Sequence, residues 1–258
     1  MTTIAHHLRL VQNRIHAACL ASGRDPASVR LVAVSKTFDA RAVIEAALAG
    51  QSAFGENYIA EGVDKIQALR RAQTGEASQS GAAIGALEWH CIGPIQSNKT
   101  RLVAEHFDWV QSVDRLKIAQ RLSEQRPAGL GPLQICLQIN IDGGPNKSGL
   151  APGNVQALAE QVAKLPRLVL RGLMAIPEPA IDFIAACAVH ASAKALFDKI
   201  NASGTLAVPM DTLSLGMTAD LEAAIHAGST MVRVGTAIFG GRGSIARAGL
   251  PGSLGQLA

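Results

Sequence analysis

LVAVSK, at residues 31–36, is an almost continuous apolar run that ends in two polar residues. Apolar residues at successive positions predict a strand that is covered on both faces, as in a parallel sheet. Seven further runs of this kind follow, and all but the last precede sequence that is long enough for a helix. They are SAFGE (52–56), WHCIG (89–93), DWVQSV (108–113), LQICLQIN (133–140), LVLRGLMAI (168–176), DTLSLG (211–216) and MVRVG (231–235).

The segments between these runs have the length and the capping residues of helices. Asp39 can cap a helix that ends at Gly50, and further helices are predicted over about 57–71, 97–107, 114–126, 153–164, 182–202 and 218–227. Eight strand–helix units in about 250 residues is the size of a closed barrel. The sequence therefore predicts an α/β fold, a single (β/α)8 TIM-type barrel, with a doubly wound open sheet as the alternative.

Three segments lie outside the eight units. Apolar residues at helical spacing predict an extra N-terminal helix that ends near Gly23, in preference to a transit peptide; they are Ile4, Leu8, Val11, Ile15 and Ala18. The patch AQTGEASQSGAAIGA (72–86) is interpreted as a surface insertion, and the Gly-rich segment 243–258 as a flexible tail. Since no linker divides the chain, we expect one domain over residues 1–258.

The composition argues against several classes of function. The net charge is only +4, and the basic residues form no run, so we expect no nucleic-acid partner. No apolar stretch approaches the ~18 residues that a membrane span needs. The four cysteines lack metal-ligand spacing, which favours free thiols, no metal site and a cytoplasmic location.

Polar residues concentrate at the carboxyl ends of the predicted strands, where (β/α)8 barrels place their active sites. Lys36 ends the first strand. Burial there would lower the pKa of its amine and make it a nucleophile that can form an imine with an aldehyde. The alternative is a lysine that extends into solvent. His90 is interpreted as a hydrogen-bonded core histidine in preference to a base.

The loops after the last two predicted strands carry Gly–hydroxyl pairs that are suited to a phosphate. The backbone N–H groups that could converge on it are those of Met217, Thr218, Gly235 and Thr236. Helix capping by Thr218 would use the same kind of donor, so both readings stay open. Arg233 lies in the eighth strand, and an inward guanidinium needs a partner, either a cofactor ring nitrogen or an acid such as Glu56.

Seven motifs, spread in order over about residues 3–242, resemble those of one protein family. The motifs are AVSKT (33–37), FGENYIAE (54–61), WHCIGPIQSNK (89–99), NKSG (146–149), GLMAIPEP (172–179), LSLGMTADLEAAIHAG (213–228) and VRVGTAIFG (232–240). Together they resemble the pyridoxal phosphate homeostasis proteins. Leu215 and Thr218 depart from the usual Met and Ser of that pattern, although Thr218 keeps the hydroxyl group.

The resemblance implies a barrel like the N-terminal domain of alanine racemase. It also implies that the chain holds pyridoxal 5′-phosphate (PLP), the active form of vitamin B6, as a Schiff base on Lys36. Arg233 would then face the pyridine nitrogen of PLP. The residues that the resemblance places around the cofactor are Lys36, Asn57, Asn98, Met217, Thr218, Arg233, Gly235 and Thr236.

Two functions are compatible with such a site. The resemblance implies intracellular PLP homeostasis, with the chain buffering PLP or delivering it to PLP-dependent apoenzymes. The alternative is an enzyme of the same fold, such as an amino-acid racemase, which needs two bases on opposite faces of the substrate carbon. The chain has one tyrosine, Tyr58, and we expect it to end after one barrel. The sequence therefore predicts a carrier without catalytic residues, acting as a monomer.

Overall fold

The computed structural model describes residues 3–73, 84–144 and 148–241, and over these residues it confirms the barrel. Eight parallel strands pair in chain order, and the first pairs with the last. The closed ring excludes the doubly wound sheet, because an open sheet has two strands that pair on one side only. The strands are β1 (Arg30–Val34), β2 (Ala53–Glu56), β3 (Glu88–Cys91), β4 (Trp109–Val113), β5 (Leu133–Ile139), β6 (Leu168–Ala175), β7 (Thr212–Ser214) and β8 (Met231–Val234).

Helices follow the strands as predicted, with differences at several positions. The segment predicted over 153–164 begins with a 3-10 turn, Pro152–Asn154, before its helix, and a short helix that was not predicted follows β8. The segment predicted to be helical over 97–107 divides into a 3-10 turn, Ser97–Lys99, and a helix that begins at Thr100. The helix predicted from residue 218 begins instead at Leu221. The α-helices are α1 (Ile4–Ala21), α2 (Ala40–Leu48), α3 (Ile59–Gln73), α4 (Thr100–His106), α5 (Leu116–Gln125), α6 (Val155–Val162), α7 (Phe183–Ala202), α8 (Leu221–His226) and α9 (Thr236–Phe239).

The extra N-terminal helix, α1, is confirmed. The side chain of Thr3 caps its start by accepting a hydrogen bond from the N–H of His6. Beyond its end, Gly23 adopts a φ of +69°, and the N–H of Arg24 donates to the carbonyl of Cys19, which is a Schellman motif. The apolar face of α1 contacts α8 and α9. The helix therefore supports the part of the barrel that follows β7 and β8.

The barrel interior is packed with side chains of its own. A small cluster of buried residues is separate from the larger core between strands and helices; its members are Val32, Ala53, Trp109, Cys136, Met174 and Met231. All six lie on strands, at positions that alternate with residues of the outer core such as Ala33 and Phe54. A filled interior leaves the ends of the strands as the places where a ligand can bind.

Several predictions fall partly outside the described residues. Most of the predicted surface insertion 72–86, the Lys of the NKSG motif and the predicted tail 243–258 lie there. The four cysteines are within the described part of the chain and are free thiols, as expected. None of the helices among the described residues is long and apolar enough to cross a membrane.

Gly172 allows β6 and β7 to pair, and this close approach can be tested. A Cβ atom at this position would overlap the carbonyl oxygen of Thr212. We therefore expect Gly172→Ala to lower the free energy of unfolding by about 2–4 kcal/mol, measured by urea denaturation. Gly129→Ala is the matched control, because a Cβ there has no atom within 4 Å. Equal unfolding midpoints for the two variants would contradict the prediction.

Candidate functional site

A cavity of about 290 Å³ opens at the carboxyl ends of the strands. Residues of β1 and β8 and of the segments after six strands line it. They are Val34, Lys36, Asn57, Ile92, Ile176, Met217, Thr218, Ala219, Arg233, Gly235 and Thr236. Seven of the eight predicted site residues are in this set, and Asn98 is not. The structure thus brings together side chains that are up to 200 positions apart in the sequence.

Lys36 follows the end of β1 and reaches the cavity. It is half-buried, so its desolvation is partial. The next residue, Thr37, has a φ of +67°, which is unusual for a residue other than glycine. The N–H of Thr37 donates to Oε1 of Glu61 over 2.6 Å, which holds the chain in this turn. A strained backbone fixed by a hydrogen bond therefore directs Lys36 into the cavity.

A buried ion-pair network fastens the strand end that carries Lys36. Nζ of Lys65 donates to Oε1 of Glu56 (2.6 Å) and to the carbonyl of Ser35 (2.8 Å), and it pairs with Glu61 (2.9 Å). Oγ of Ser35 donates to the same oxygen of Glu56 over 2.6 Å. Burial raises the pKa of the Glu56 carboxyl, and the Lys65 ammonium opposes that rise. The sequence reasoning did not identify Lys65.

Arg233 is buried, with 3% of its surface exposed. Its Nη1 donates to the carbonyl (2.8 Å) and hydroxyl (2.6 Å) oxygens of Ser214, and its Nη2 donates to the carbonyl of Ala175 (2.8 Å). Burial lowers the pKa of the guanidinium to about 10, so it is still charged at neutral pH. Salt bridging to Glu56, one of the two partners considered from the sequence, is wrong, because Glu56 pairs with Lys65.

The loops after β7 and β8 meet at the cavity. Oγ1 of Thr236 donates to Oγ1 of Thr218 over 3.2 Å, which joins the two Gly–hydroxyl pairs. Capping of α8 by Thr218 is wrong, because the residue before the helix is Asp220. Oδ1 of Asp220 accepts the N–H of Met217 over 2.7 Å, so this donor, predicted to face a phosphate, has a protein partner.

The N-terminal helix holds the first of these two loops. Nη2 of Arg14 donates to the carbonyl of Thr218 over 2.9 Å. The same guanidinium forms a two-point ion pair with Glu222 of α8, at 2.7 and 2.9 Å. A planar guanidinium that contacts two groups fixes both of them in orientation. Thus α1 positions a loop of the cavity, a role that its apolar stripe could not indicate.

The two asparagines have different positions. Asn57 lines the cavity, and Gly93 lies so close that a Cβ there would overlap the carbonyl oxygen of Asn57. Asn98 is exposed in the 3-10 turn after β3 and does not line the cavity, so its contact with a ligand stays a prediction. His90 is the core histidine that was expected. It is fully buried, and that burial lowers the pKa of its ring.

Comparisons with known proteins identify the family of the chain. Residues 3–243 match the family model of the alanine racemase N-terminal domain. The pyridoxal phosphate homeostasis protein of Pseudomonas aeruginosa is 54% identical over 242 residues, which cover 94% of this chain and 97% of that protein. That of Escherichia coli K12 is 51% identical and covers 94% and 98% of the two chains.

Solved structures extend the comparison. PipY of Synechococcus elongatus, in a structure with PLP bound, is 33% identical with a TM-score of 0.75, over 92% of this chain and all of that chain. An alanine racemase of Clostridium difficile is 17% identical with a TM-score of 0.66, and the match spans 93% of this chain but 58% of the racemase. This second likeness is one of fold alone. The chain belongs to the alanine racemase N-terminal domain family and, within it, to the pyridoxal phosphate homeostasis proteins.

Proposed function

We propose that this protein holds PLP on Lys36 and serves intracellular PLP homeostasis as a carrier that does not turn over substrate. The observation that carries the proposal is the cavity at the carboxyl ends of the strands. It combines an amine, a buried guanidinium and two joined Gly–hydroxyl turns. The curated relatives are named for PLP homeostasis, and the related PipY structure contains PLP.

The chemistry of the cavity fits the three polar parts of PLP. The amine of Lys36 can condense with its aldehyde. The Arg233 guanidinium has donors only, so it suits an unprotonated pyridine nitrogen. The hydroxyl groups of Thr218 and Thr236 and the backbone at Gly235 can donate to a phosphate. When bound, PLP would supply an electron-withdrawing ring next to an imine.

The titratable groups around the cavity favour a carrier over a racemase. Lys36 and Arg233 are the ionisable side chains among the described residues that line it. Since Arg233 remains charged near neutral pH, Lys36 is the one of the two that can exchange a proton. The single tyrosine, Tyr58, is 53% exposed and is not part of the lining. Racemisation needs two positioned bases, and this lining offers one.

The remaining parts of the proposal concern the partners of the protein and its location in the cell. PLP-dependent apoenzymes are the recipients that a PLP carrier would serve. Free thiols at all four cysteines are usual in a reducing compartment, and they support a cytoplasmic location.

The first test locates the covalent link. After PLP loading and borohydride reduction, we expect the pyridoxyl mass on the peptide that contains Lys36, because this lysine reaches the cavity. Lys36→Ala should remove the mass and the visible absorption of the bound cofactor. Lys99→Ala is the matched control, since Lys99 lies in the 3-10 turn outside the cavity. A pyridoxyl group on Lys99 or Lys147 of the wild-type protein would show that the assignment is wrong.

The second test concerns the phosphate group. Thr218→Val keeps the shape of the side chain but removes its hydroxyl, and we expect it to weaken PLP binding about 2- to 10-fold. Binding of pyridoxal, which lacks the phosphate, should not change, and Thr218→Ser should restore the affinity for PLP. Equilibrium titration with both ligands measures these differences. An equal loss for PLP and pyridoxal would place the phosphate away from Thr218.

The third test separates a carrier from a racemase. The protein loaded with PLP is incubated with L-alanine in deuterated water, and proton NMR follows the α-proton. We expect no D-alanine beyond that formed by free PLP, because inversion needs a second positioned base that the lining lacks, whereas exchange of the α-proton with retention needs only one. Lys36→Ala is the control for exchange at the proposed site. Multiple-turnover formation of D-alanine that is lost in Lys36→Ala would establish the racemase instead.

A further inference from the structure

Behind Arg233, a chain of polar side chains runs through the barrel interior. Oγ of Ser214 donates to Oε1 of Gln111 (2.7 Å), Nε2 of Gln111 donates to Nδ1 of His90 (2.8 Å), and Nε2 of His90 lies 2.6 Å from Oε1 of Glu88. Ser214, Gln111 and His90 are fully buried. We call this series, from Arg233 to Glu88, the barrel relay. The proposed function uses only its first member.

The groups at the two ends of the barrel relay favour one direction for its hydrogen bonds. Arg233 can only donate, so the hydroxyl proton of Ser214 is free to go to Gln111. The amide nitrogen of Gln111 must then donate to Nδ1 of His90, which leaves the proton of the ring on Nε2. That nitrogen donates to Glu88. Each group thus has one role, and a cation stands at one end and an acid at the other.

The charges of the two end groups support this assignment. Burial lowers the pKa of His90 more than its bond to Glu88 raises it, so the ring is neutral and has one proton to donate. For the Glu88 carboxyl, burial alone would raise the pKa, but the hydrogen bond and the electrostatic attraction of His90, followed by the charge of Arg30, outweigh it and the pKa is lowered. Nη1 of Arg30 lies 2.8 Å from Glu88. Glu88 is therefore an anion.

The barrel relay connects the two ends of the barrel. Arg233 lines the cavity at the carboxyl ends of the strands. Glu88 and Arg30 line another cavity, of about 680 Å³, which lies at the first residues of several strands. Aligned hydrogen bonds in a low-dielectric interior polarise one another, so a charge at one end influences the donor at the other. Asp220 also acts on Arg233 electrostatically, from outside the relay.

We propose that Gln111 and His90 are positioning residues, which orient Arg233 toward the ring nitrogen of PLP and couple the charge of Glu88 to the electronic state of the bound cofactor. This inference rests on the proposed function, since it assumes that Arg233 faces that nitrogen. A merely structural network would stabilise the barrel without changing the absorption of bound PLP. A positioning role therefore predicts a shift in the absorption spectrum of bound PLP when the relay is broken, and a structural role predicts no shift.

Gln111→Met tests the middle of the relay. At nearly unchanged volume it removes the bonds to Ser214 and His90, together with the bond from Nε2 to Sδ of Met231 outside the relay. The matched control is Gln51→Met. Gln51 is also buried, and its Nε2 donates to the carbonyls of Leu31 (2.9 Å) and Ala53 (2.7 Å), outside the relay. Both variants should unfold at lower urea concentrations than the wild type. Only Gln111→Met should shift the absorption maximum of bound PLP and weaken PLP binding, about 2- to 10-fold.

Glu88→Gln tests the far end, and it decides the question if Gln111→Met does not fold. The substitution keeps a side-chain oxygen that can accept from His90 but removes the negative charge. Residue 88 does not line the PLP cavity, so the substitution leaves the cavity lining unchanged. We expect a shift in the absorption of bound PLP here too. Nitrogen NMR of the PLP-free protein should show the ring proton of His90 on Nε2 in the wild type.

The outcomes separate this inference from the proposed function. If wild-type protein binds PLP on Lys36, but Gln111→Met and Glu88→Gln have wild-type spectra and affinities, the relay is only structural and the inference is wrong. A ring proton on Nδ1 of His90 in the wild type would overturn the direction of the relay. Failure of the wild type to bind PLP would instead overturn the proposed function.

Discussion

The pairing of β1 with β8 is the constraint on which the site depends. In this register Val32 lies opposite Arg233, and Ala33 lies opposite Val234. Because the strands are parallel, their carboxyl ends meet, and Lys36 comes to lie at the same cavity as Gly235 and Thr236. No local interaction could bring together residues so distant in the sequence. Closure of the barrel thus creates the cavity as well as completing the sheet.

Two buried cations near the cavity are stabilised in different ways. Lys65, a residue of α3, has carboxylates of Glu56 and Glu61 as direct partners. Arg233, inside the barrel, has carbonyl oxygens and a hydroxyl as its hydrogen-bond partners. The charge of Asp220 acts on it through space, and the barrel relay ends at a second acid, Glu88. A charge that is solvated by dipoles is held in place, yet its donors are less neutralised than in a direct ion pair. Arg233 can therefore still donate to a ligand in the cavity, whereas Lys65 binds the carbonyl of Ser35, the residue before Lys36.

Much of the fold and of the cavity could be predicted from the sequence, because both depend on strong patterns. Apolar runs mark strands, and the residues at their ends must meet in a closed barrel, which is why Lys36 and Thr236 were assigned together. The start of α8 was missed, since Thr218 and Asp220 are both good capping residues and only the tertiary structure selects between them. The partners of Glu56 and Gln111 were missed as well. To predict these partners one must know which strand packs beside which helix and which side chains of each strand face the barrel interior. A register shift of a single residue would change both.

In the proposed function, the same features would let the barrel bind PLP without turning over substrate. Arg233 stays protonated, so it would leave the pyridine nitrogen of PLP as an acceptor and weaken the ring as an electron sink. Lys36 alone can exchange a proton at the cavity, and a second base at the opposite face has no counterpart among the described lining residues. In that proposal, affinity would come from the covalent link, the phosphate turns and a fixed guanidinium, none of which needs a second base. A site with these properties favours retention of PLP over turnover, and an accessible imine still permits its release to a competing amine.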